Sequence, residues 1–406
     1  MKKLLIASAA LAMVAGTAQA QSSVTVYGTY DLGYQALSFD NIGGSTSTAN
    51  QDKTSGIAGS SLTSNRIGFR GTEDLGGGMR ANFNLEYGFA SNLFGDTVTT
   101  STTPAVSLSS GANTMPTDTP GVASGVGGAL QTRTSRVGLE SAKMGRLDVG
   151  YGLTGLFATV TGHSPLPGNN FIGDVAYTSL ATTGATASGT AAGAASSRIL
   201  SGAVRANGVQ YTSPTFSGVQ AVVDLGSNSI KNGDNGATDT RASNVGVTLR
   251  YSAGKLGVAA TMHTLKTDAS STANNINTAE FQAVSVRYAL TSALTVNALY
   301  GANETTAQTG LQSGKNNVTQ VGATYTMGKN VLVAQYGEGD GEAAVGVERR
   351  DRKGYQVGAI HNLSKRTNIY AIYGSQEGKV VTSATSANVG NSEKVSGYTV
   401  GLRHSF

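Results

Sequence analysis

Residues 394–406 read KVSGYTVGLRHSF, and this stretch decides the fold. Side chains on a β-strand point alternately to its two faces. Tyr398, Leu402 and Phe406 therefore share one apolar face, while Arg403 lies on the other face among small and polar residues. Lipid tolerates no open sheet edge, so a last strand must pair with a first one. The stretch predicts the closing strand of a transmembrane β-barrel.

Fifteen further segments show the same alternation, so sixteen strands are expected. Each is close to the ~10 residues that a tilted strand needs to cross a membrane. The pattern predicts an all-β protein, a sixteen-stranded antiparallel transmembrane β-barrel. The sixteen segments lie near residues 24–36, 65–71, 79–89, 132–140, 146–152, 204–213, 218–227, 243–251, 256–266, 279–290, 293–302, 317–327, 330–338, 354–363, 367–375 and 394–406.

The connections between these segments alternate in length. This asymmetry is typical of outer-membrane barrels, which have short periplasmic turns and long extracellular loops. All six prolines fall in connections, where they remove no ladder hydrogen bond. The long connections are 37–64, 90–131, 153–203, 228–242, 267–278, 303–316, 339–353 and 376–393.

Residues 1–20 have the features of a secretory signal peptide. Lys2 and Lys3 precede a short apolar run, and Ala18-Gln19-Ala20 forms a small-residue cleavage site. We therefore expect the mature barrel to comprise residues 21–406. After this segment no apolar run reaches the length of a spanning helix, so any membrane structure must consist of strands.

Composition and charge narrow the function classes. The chain has no cysteine, which excludes disulfides and thiolate metal sites. Its formal charge of +5 falls to +3 without Lys2 and Lys3, too little for a nucleic-acid surface. The four histidines lack metal-ligand spacing, and no Gly-x-Ser-x-Gly elbow is present. We expect no cofactor, no metal, no nucleic-acid partner and no enzymatic activity.

Alternation also assigns arginines to the two faces of the barrel wall. A charged side chain facing lipid at mid-depth costs about 2–4 kcal/mol, so an arginine within a strand is expected to face the lumen. Ordinary solvated wall charges remain an alternative for any single arginine. The arginines that alternation places in the lumen are Arg66, Arg70, Arg80, Arg136, Arg250 and Arg287.

Several motifs resemble the general porins of β-proteobacteria, a family of trimeric, sixteen-stranded barrels. The GTEDLGGG, YTSP and LSKRT turns are the most specific of them. The resembling stretches are SSVTVYGTYDLGY at 22–34, SNRIGFRGTEDLGGGMRANFNLEYGF at 64–89, RVGLESAKMGRLDVG at 136–150, NGVQYTSPTFSG at 207–218, YQVGAIHNLSKRTNIYAIYG at 355–374 and GYTVGLRHSF at 397–406.

The resemblance implies a passive channel for small hydrophilic solutes in the outer membrane. It implies a homotrimer surrounded by outer-membrane lipid, with the terminal Phe406 read by the barrel-insertion machinery. The third long loop, residues 153–203, is expected to fold inward as the sieve.

The resemblance also suggests which residues form the constriction. It implies constriction arginines at Arg66, Arg133 and Arg205, although alternation does not place the last two in the lumen. Asp174 is the only carboxylate in the third loop. A positive ring favours anions, so we expect weak anion selectivity.

Two other function classes stay open at this stage. An outer-membrane β-barrel hydrolase would need a histidine at the rim, for which His163 is the candidate in a long loop. A secreted β-solenoid adhesin would show a fixed short repeat, and the sequence has none.

Overall fold

The computed structural model describes eleven parts of the chain. These are residues 23–40, 53–89, 130–162, 164–167, 171–176, 205–230, 239–271, 273–306, 312–343, 348–383 and 392–406. The predicted signal peptide, His163 and three of the prolines lie outside the described residues.

In the described part of the chain, seventeen strand segments form one sheet. The segments β2 and β3 both pair with β1 and together make one barrel strand, so the barrel has sixteen strands, as predicted. The bounds are β1 Ser23–Asp40, β2 Lys53–Gly59, β3 Arg66–Gly76, β4 Met79–Gly88, β5 Gln131–Ser141, β6 Gly145–Leu153, β7 Arg205–Thr212, β8 Val219–Ile230, β9 Asp239–Ala253, β10 Leu256–Ser271, β11 Ala273–Ala289, β12 Leu294–Thr306, β13 Gln312–Met327, β14 Asn330–Ala343, β15 Glu348–Asn362, β16 Thr367–Ser383 and β17 Ser392–Ser405.

The barrel is closed by antiparallel pairing of β1 with β17. The register runs from Thr29 opposite Ser405 to Asp40 opposite Lys394. Beyond it, the amide of Gly28 donates to the Phe406 carbonyl at 3.0 Å, and the Phe406 amide donates back at 3.1 Å. The first and last strands therefore share a complete hydrogen-bonded seam, which confirms the closure predicted from residues 394–406.

Alternation along the strands gives the wall an apolar outside. In β9, Val245, Val247 and Leu249 are about half exposed, whereas Gly246 and Thr248 between them are buried. Exposed tyrosines also face one another across neighbouring strands, for example Tyr336 opposite Tyr355 and Tyr373 opposite Tyr398. Outer-membrane barrels carry such an apolar band with aromatic girdles where it meets the headgroups.

The turns that the sequence predicts as short all lie at one rim. The predicted long loop 267–278 is a wrong prediction, because β10 continues to Ser271 and β11 begins at Ala273. Gly76, Gly77 and Gly78 have positive φ, and Asp74 Oδ1 accepts from the Gly76 amide at 2.9 Å. This tight turn joins β3 to β4 and is stabilised by a side chain that bonds its own backbone.

None of the helices among the described residues has the length and apolar character to span a membrane.

The third long loop folds into the barrel, as predicted. It begins with a short helix, α1 (Gly155–Gly162), which the sequence did not predict. Leu156 and Val160 of α1 pack with Phe281 and Leu299 of the wall. Residues 171–176 are buried against the wall in turn. The described part of the loop therefore lines one side of the lumen, held there by apolar packing.

A second apolar cluster joins the later part of this loop to the wall. Phe171 and Ile172 of the loop pack with Leu37 of β1 and Val395 of β17, across the closing seam. Leu62, between β2 and β3, joins the same cluster. The segment that interrupts the second barrel strand thus also turns inward.

Candidate functional site

Glu86 lies between two arginines on the lumen face of β4. Its Oε1 accepts from Arg133 Nε at 2.7 Å, and Arg66 Nε lies 3.6 Å from its Oε2. The Tyr27 hydroxyl donates to the same Oε2 at 3.1 Å. We call Arg66, Glu86 and Arg133 the charged cluster. Its formal charge is +1, and one hydrogen bond and one longer ion pair hold the two arginines on either side of Glu86.

A β-bulge explains why Arg133 belongs to this cluster. Glu86 is opposite Thr134, but the next residue, Tyr87, is opposite Thr132, so Arg133 is an extra residue in β5. A bulge inserts one residue and turns its side chain out of the regular alternation. Strict alternation, counted back from the exposed Val137, would place Arg133 on the outer face. The structure places it in the lumen beside Glu86.

Arg205 lies beside Arg133 at the first position of β7. Its side chain is buried, and its Nε donates to the backbone carbonyl of Arg133 at 2.9 Å. The structure therefore brings together the three arginines that the resemblance singled out, Arg66, Arg133 and Arg205. Alternation alone did not group them.

Arg70 extends the cluster toward the short-turn rim. Its guanidinium carbon lies 5.1 Å from the ring centre of Tyr27, within the range of a cation–π contact. The Tyr27 hydroxyl also donates to Asn84 Oδ1 at 2.8 Å. Tyr27 thus connects Arg70 to Glu86 along the inner wall.

Arg136 holds the start of the third loop. Its Nη1 donates to Gln210 Oε1 at 2.7 Å, and its Nη2 donates to the Leu153 carbonyl at 3.1 Å. Gln210 Nε2 donates to Asp224 Oδ1 at 2.6 Å. Asp224 Oδ2 accepts from the Gly155 amide, the first residue of α1, at 2.8 Å. Carboxylates suit helix N-termini, whose first amides lack partners within the helix.

Comparison with known proteins decides the family. A family model described as Gram-negative porin matches residues 7–380. The chain belongs to this family. Its outer-membrane location and its passive-channel class were both predicted from the sequence motifs, and the family and its relatives agree with them.

The curated relatives are also outer-membrane porins. An outer membrane porin protein of Bordetella pertussis is 34% identical over 158 residues, 37% of this chain and 33% of the relative. Outer membrane porin protein 32 of Delftia acidovorans is 44% identical over 96 residues, 24% of each chain. The matched stretches thus span only a third and a quarter of these relatives.

Solved structures agree on the fold. The anion-selective porin from Comamonas acidovorans superposes with a TM-score of 0.64 at 21% identity, over 95% of this chain and all of that one. The trimer form of OmpT, an outer membrane protein of Vibrio cholerae, gives 0.60 at 15% identity, over 95% and 99%. These likenesses show the barrel architecture. Neither these structures nor the curated relatives give support to the hydrolase alternative.

In this porin, three of the expected arginines lie away from the charged cluster. Arg80 is exposed near the short-turn rim, opposite Asp74 on one side and Glu140 on the other. Arg250 is half-buried near the end of β9, and Arg287 is exposed near the end of β11. With a rise of about 3.3 Å per residue, all three lie closer to the short-turn mouth than Glu86 does.

Asp174 is almost fully buried where the third loop of the porin touches the wall. It is flanked by the buried residues Gly173 and Val175. Of the ionisable side chains in this loop, only Asp174 lies among the described residues. The carboxylate that meets the arginines of the charged cluster comes instead from the wall, at Glu86.

Asp31 is a second wall carboxylate that the sequence reasoning missed. It is fully buried, accepts from the amides of Leu62 and Thr63 at 2.7 Å each, and accepts from the Tyr370 hydroxyl at 2.5 Å. It therefore holds the inward segment between β2 and β3. Alternation could have found it, because Tyr30 and Leu32 beside it face outward.

Proposed function

We propose that this porin is a passive diffusion channel for small hydrophilic solutes and ions across the outer membrane. The closed barrel with an inward third loop and a charged cluster on its inner wall carries this proposal. Solutes would pass between the loop, whose described parts lie along β8–β17 and reach β1 at the seam, and the arginine-bearing wall of β3–β5. No cofactor and no nucleic acid take part.

We further propose weak selectivity for anions. The charged cluster has two arginines for one carboxylate, and Arg70 and Arg205 add positive charge beside it. Charge in a narrow, low-dielectric passage acts on ions more strongly than the same charge in bulk water. The anion-selective porin from Comamonas acidovorans, which shares the fold, supports the same expectation.

Reversal potentials in planar bilayers test both statements. With a potassium chloride gradient across a bilayer that contains the refolded protein, we expect a zero-current potential whose sign shows that chloride permeates faster than potassium. We expect the magnitude of this potential to be modest. A potential of the opposite sign would overturn the anion selectivity but leave the channel. Absence of conductance from correctly folded protein would overturn the channel itself.

The proposed assembly is a homotrimer embedded in outer-membrane lipid. The trimer form of the Vibrio cholerae protein, which shares the fold, supports it. Conductance steps in groups of three, together with a trimer band that dissociates on heating, are the expected results. Phe406, whose ring lies on the outer face, is proposed as the residue that the insertion machinery reads before closure.

A further inference from the structure

Four glutamines form a row on the inner wall where it meets the third loop. Gln320, Gln335, Gln356 and Gln376 come from β13, β14, β15 and β16 in turn, and all four side chains are almost fully buried. We call them the glutamine ladder.

Three members of the ladder are linked by their own amide groups. Gln320 Nε2 donates to Gln335 Oε1 at 3.3 Å, and Gln335 Nε2 donates to Gln356 Oε1 at 2.7 Å. The Gln356 oxygen thus accepts a hydrogen bond from its neighbour in the wall, and its amide nitrogen points toward the loop. Side-chain amides offer both donors and acceptors, so one residue can bond a neighbour and the loop together.

Gln356 binds the loop backbone as a double donor. Its Nε2 donates to the carbonyls of Phe171 and Ile172, at 2.8 Å each. Gln376 and Gln320 bind as acceptors, since their Oε1 atoms receive the amides of Gly173 at 3.4 Å and Ala176 at 3.3 Å. The ladder therefore makes hydrogen bonds to backbone groups of loop residues that are buried.

Glycines let the loop come this close. A Cβ on Gly374, the register partner of Gln356, would lie 2.0 Å from the Ile172 carbonyl oxygen. Gly173 has φ +101, and a Cβ there would lie 2.1 Å from the Tyr355 carbonyl oxygen. The wall and the loop are thus in backbone contact, which brings the Phe171 and Ile172 carbonyls within hydrogen-bond distance of Gln356.

We propose that the glutamine ladder is the latch that holds residues 171–176 against β13–β16 and so sets the open width of the passage. This inference rests on the proposed channel function. Because every member is neutral, the ladder fixes the loop without adding charge to the path of the ions. Losing a hydrogen bond is costly for a buried backbone carbonyl, so loss of the Gln356 donors weakens the contact between loop and wall and shifts the loop away from the wall.

Two methionine substitutions test the donor role of Gln356. Gln356→Met removes both donors without adding charge and keeps an unbranched side chain of similar length. Gln282→Met makes the same chemical change at an exposed position of β11, between the inward-packed Phe281 and Ala283 and outside the ladder. Only the first substitution should release the loop.

Hydrogen exchange and conductance give independent readouts. In Gln356→Met we expect faster amide exchange over residues 171–176 and a single-channel conductance changed by roughly 1.5-fold or more, with a broader distribution, because the narrowest point controls conduction. In Gln282→Met both should stay near wild type. Heat-modifiable mobility on gels confirms that each barrel is closed.

Unchanged exchange and conductance in folded Gln356→Met would overturn the latch, and so would equal effects in Gln282→Met. If Gln356→Met does not fold, Gln356→Leu removes the same donors and is read in the same way. Wild-type protein without conductance would refute the channel, while the exchange experiment would still decide whether the latch exists.

Discussion

Replacing Glu86 with glutamine makes the channel markedly more selective for anions. Glutamine keeps an oxygen that can accept from Arg133 Nε, now 2.7 Å away, but it removes the negative charge between Arg133 and Arg66. The charged cluster then changes from +1 to +2. We expect the chloride-to-potassium permeability ratio to rise about threefold in 0.1 M salt, since a unit charge a few Å away acts at an effective dielectric near 20.

Reversal potentials measure this change, and Glu304→Gln is the matched control. Glu304 is exposed on the outer face of β12, opposite Glu280, so the same chemical change there leaves the lumen intact. High salt should reduce the difference between Glu86→Gln and wild type, because screening shortens the reach of the charge. An unaltered ratio at low salt would show that ions do not pass the charged cluster.

A Gly28→Val substitution prevents the barrel from closing properly. A Cβ at Gly28 would lie 2.4 Å from the Phe406 ring and 2.6 Å from the Arg66 carbonyl oxygen, and valine adds two methyl groups there. Overpacking of a tight site usually costs about 1–3 kcal/mol, and this site bonds the last residue of the seam. We expect most of the refolded protein to lose the heat-modifiable band of a closed barrel.

Gly56→Val tests whether the effect belongs to the seam. Gly56 lies in β2 and pairs with Gln35 of β1, the strand that also contains Gly28, but a Cβ on Gly56 would have no atom within 4 Å. This variant should refold as the wild type does. Equal losses in both variants would mean that valine at either glycine disturbs the strand and that the seam has no special role.

The sixteen strands could be predicted because their signal is local. Each wall strand has lipid on one side and water or the loop on the other, so its sequence alternates, as in Tyr398, Val400 and Leu402 of β17. The exception is β2 (Lys53–Gly59), which the sequence analysis assigned to a long loop. It is short and rich in small residues, and a separate inward segment divides it from β3.

The site was harder to predict because it depends on register. The bulge that brings Arg133 to Glu86 arises from the pairing of β4 with β5, and the sequence of neither strand alone indicates it. The glutamine ladder is spaced irregularly along the chain, at 320, 335, 356 and 376, and only strand pairing puts its members side by side. Asp224 and α1 likewise meet across 69 residues.

The apolar cluster around Phe171 constrains the order in which the molecule assembles. It contains Leu37 of β1 and Val395 of β17, residues that become neighbours only when the first and last strands have joined. The apolar site in which Phe171 and Ile172 pack is therefore incomplete in an open sheet. The wall must therefore close before the loop can pack into its final position, and a barrel that has not yet closed lacks the constriction.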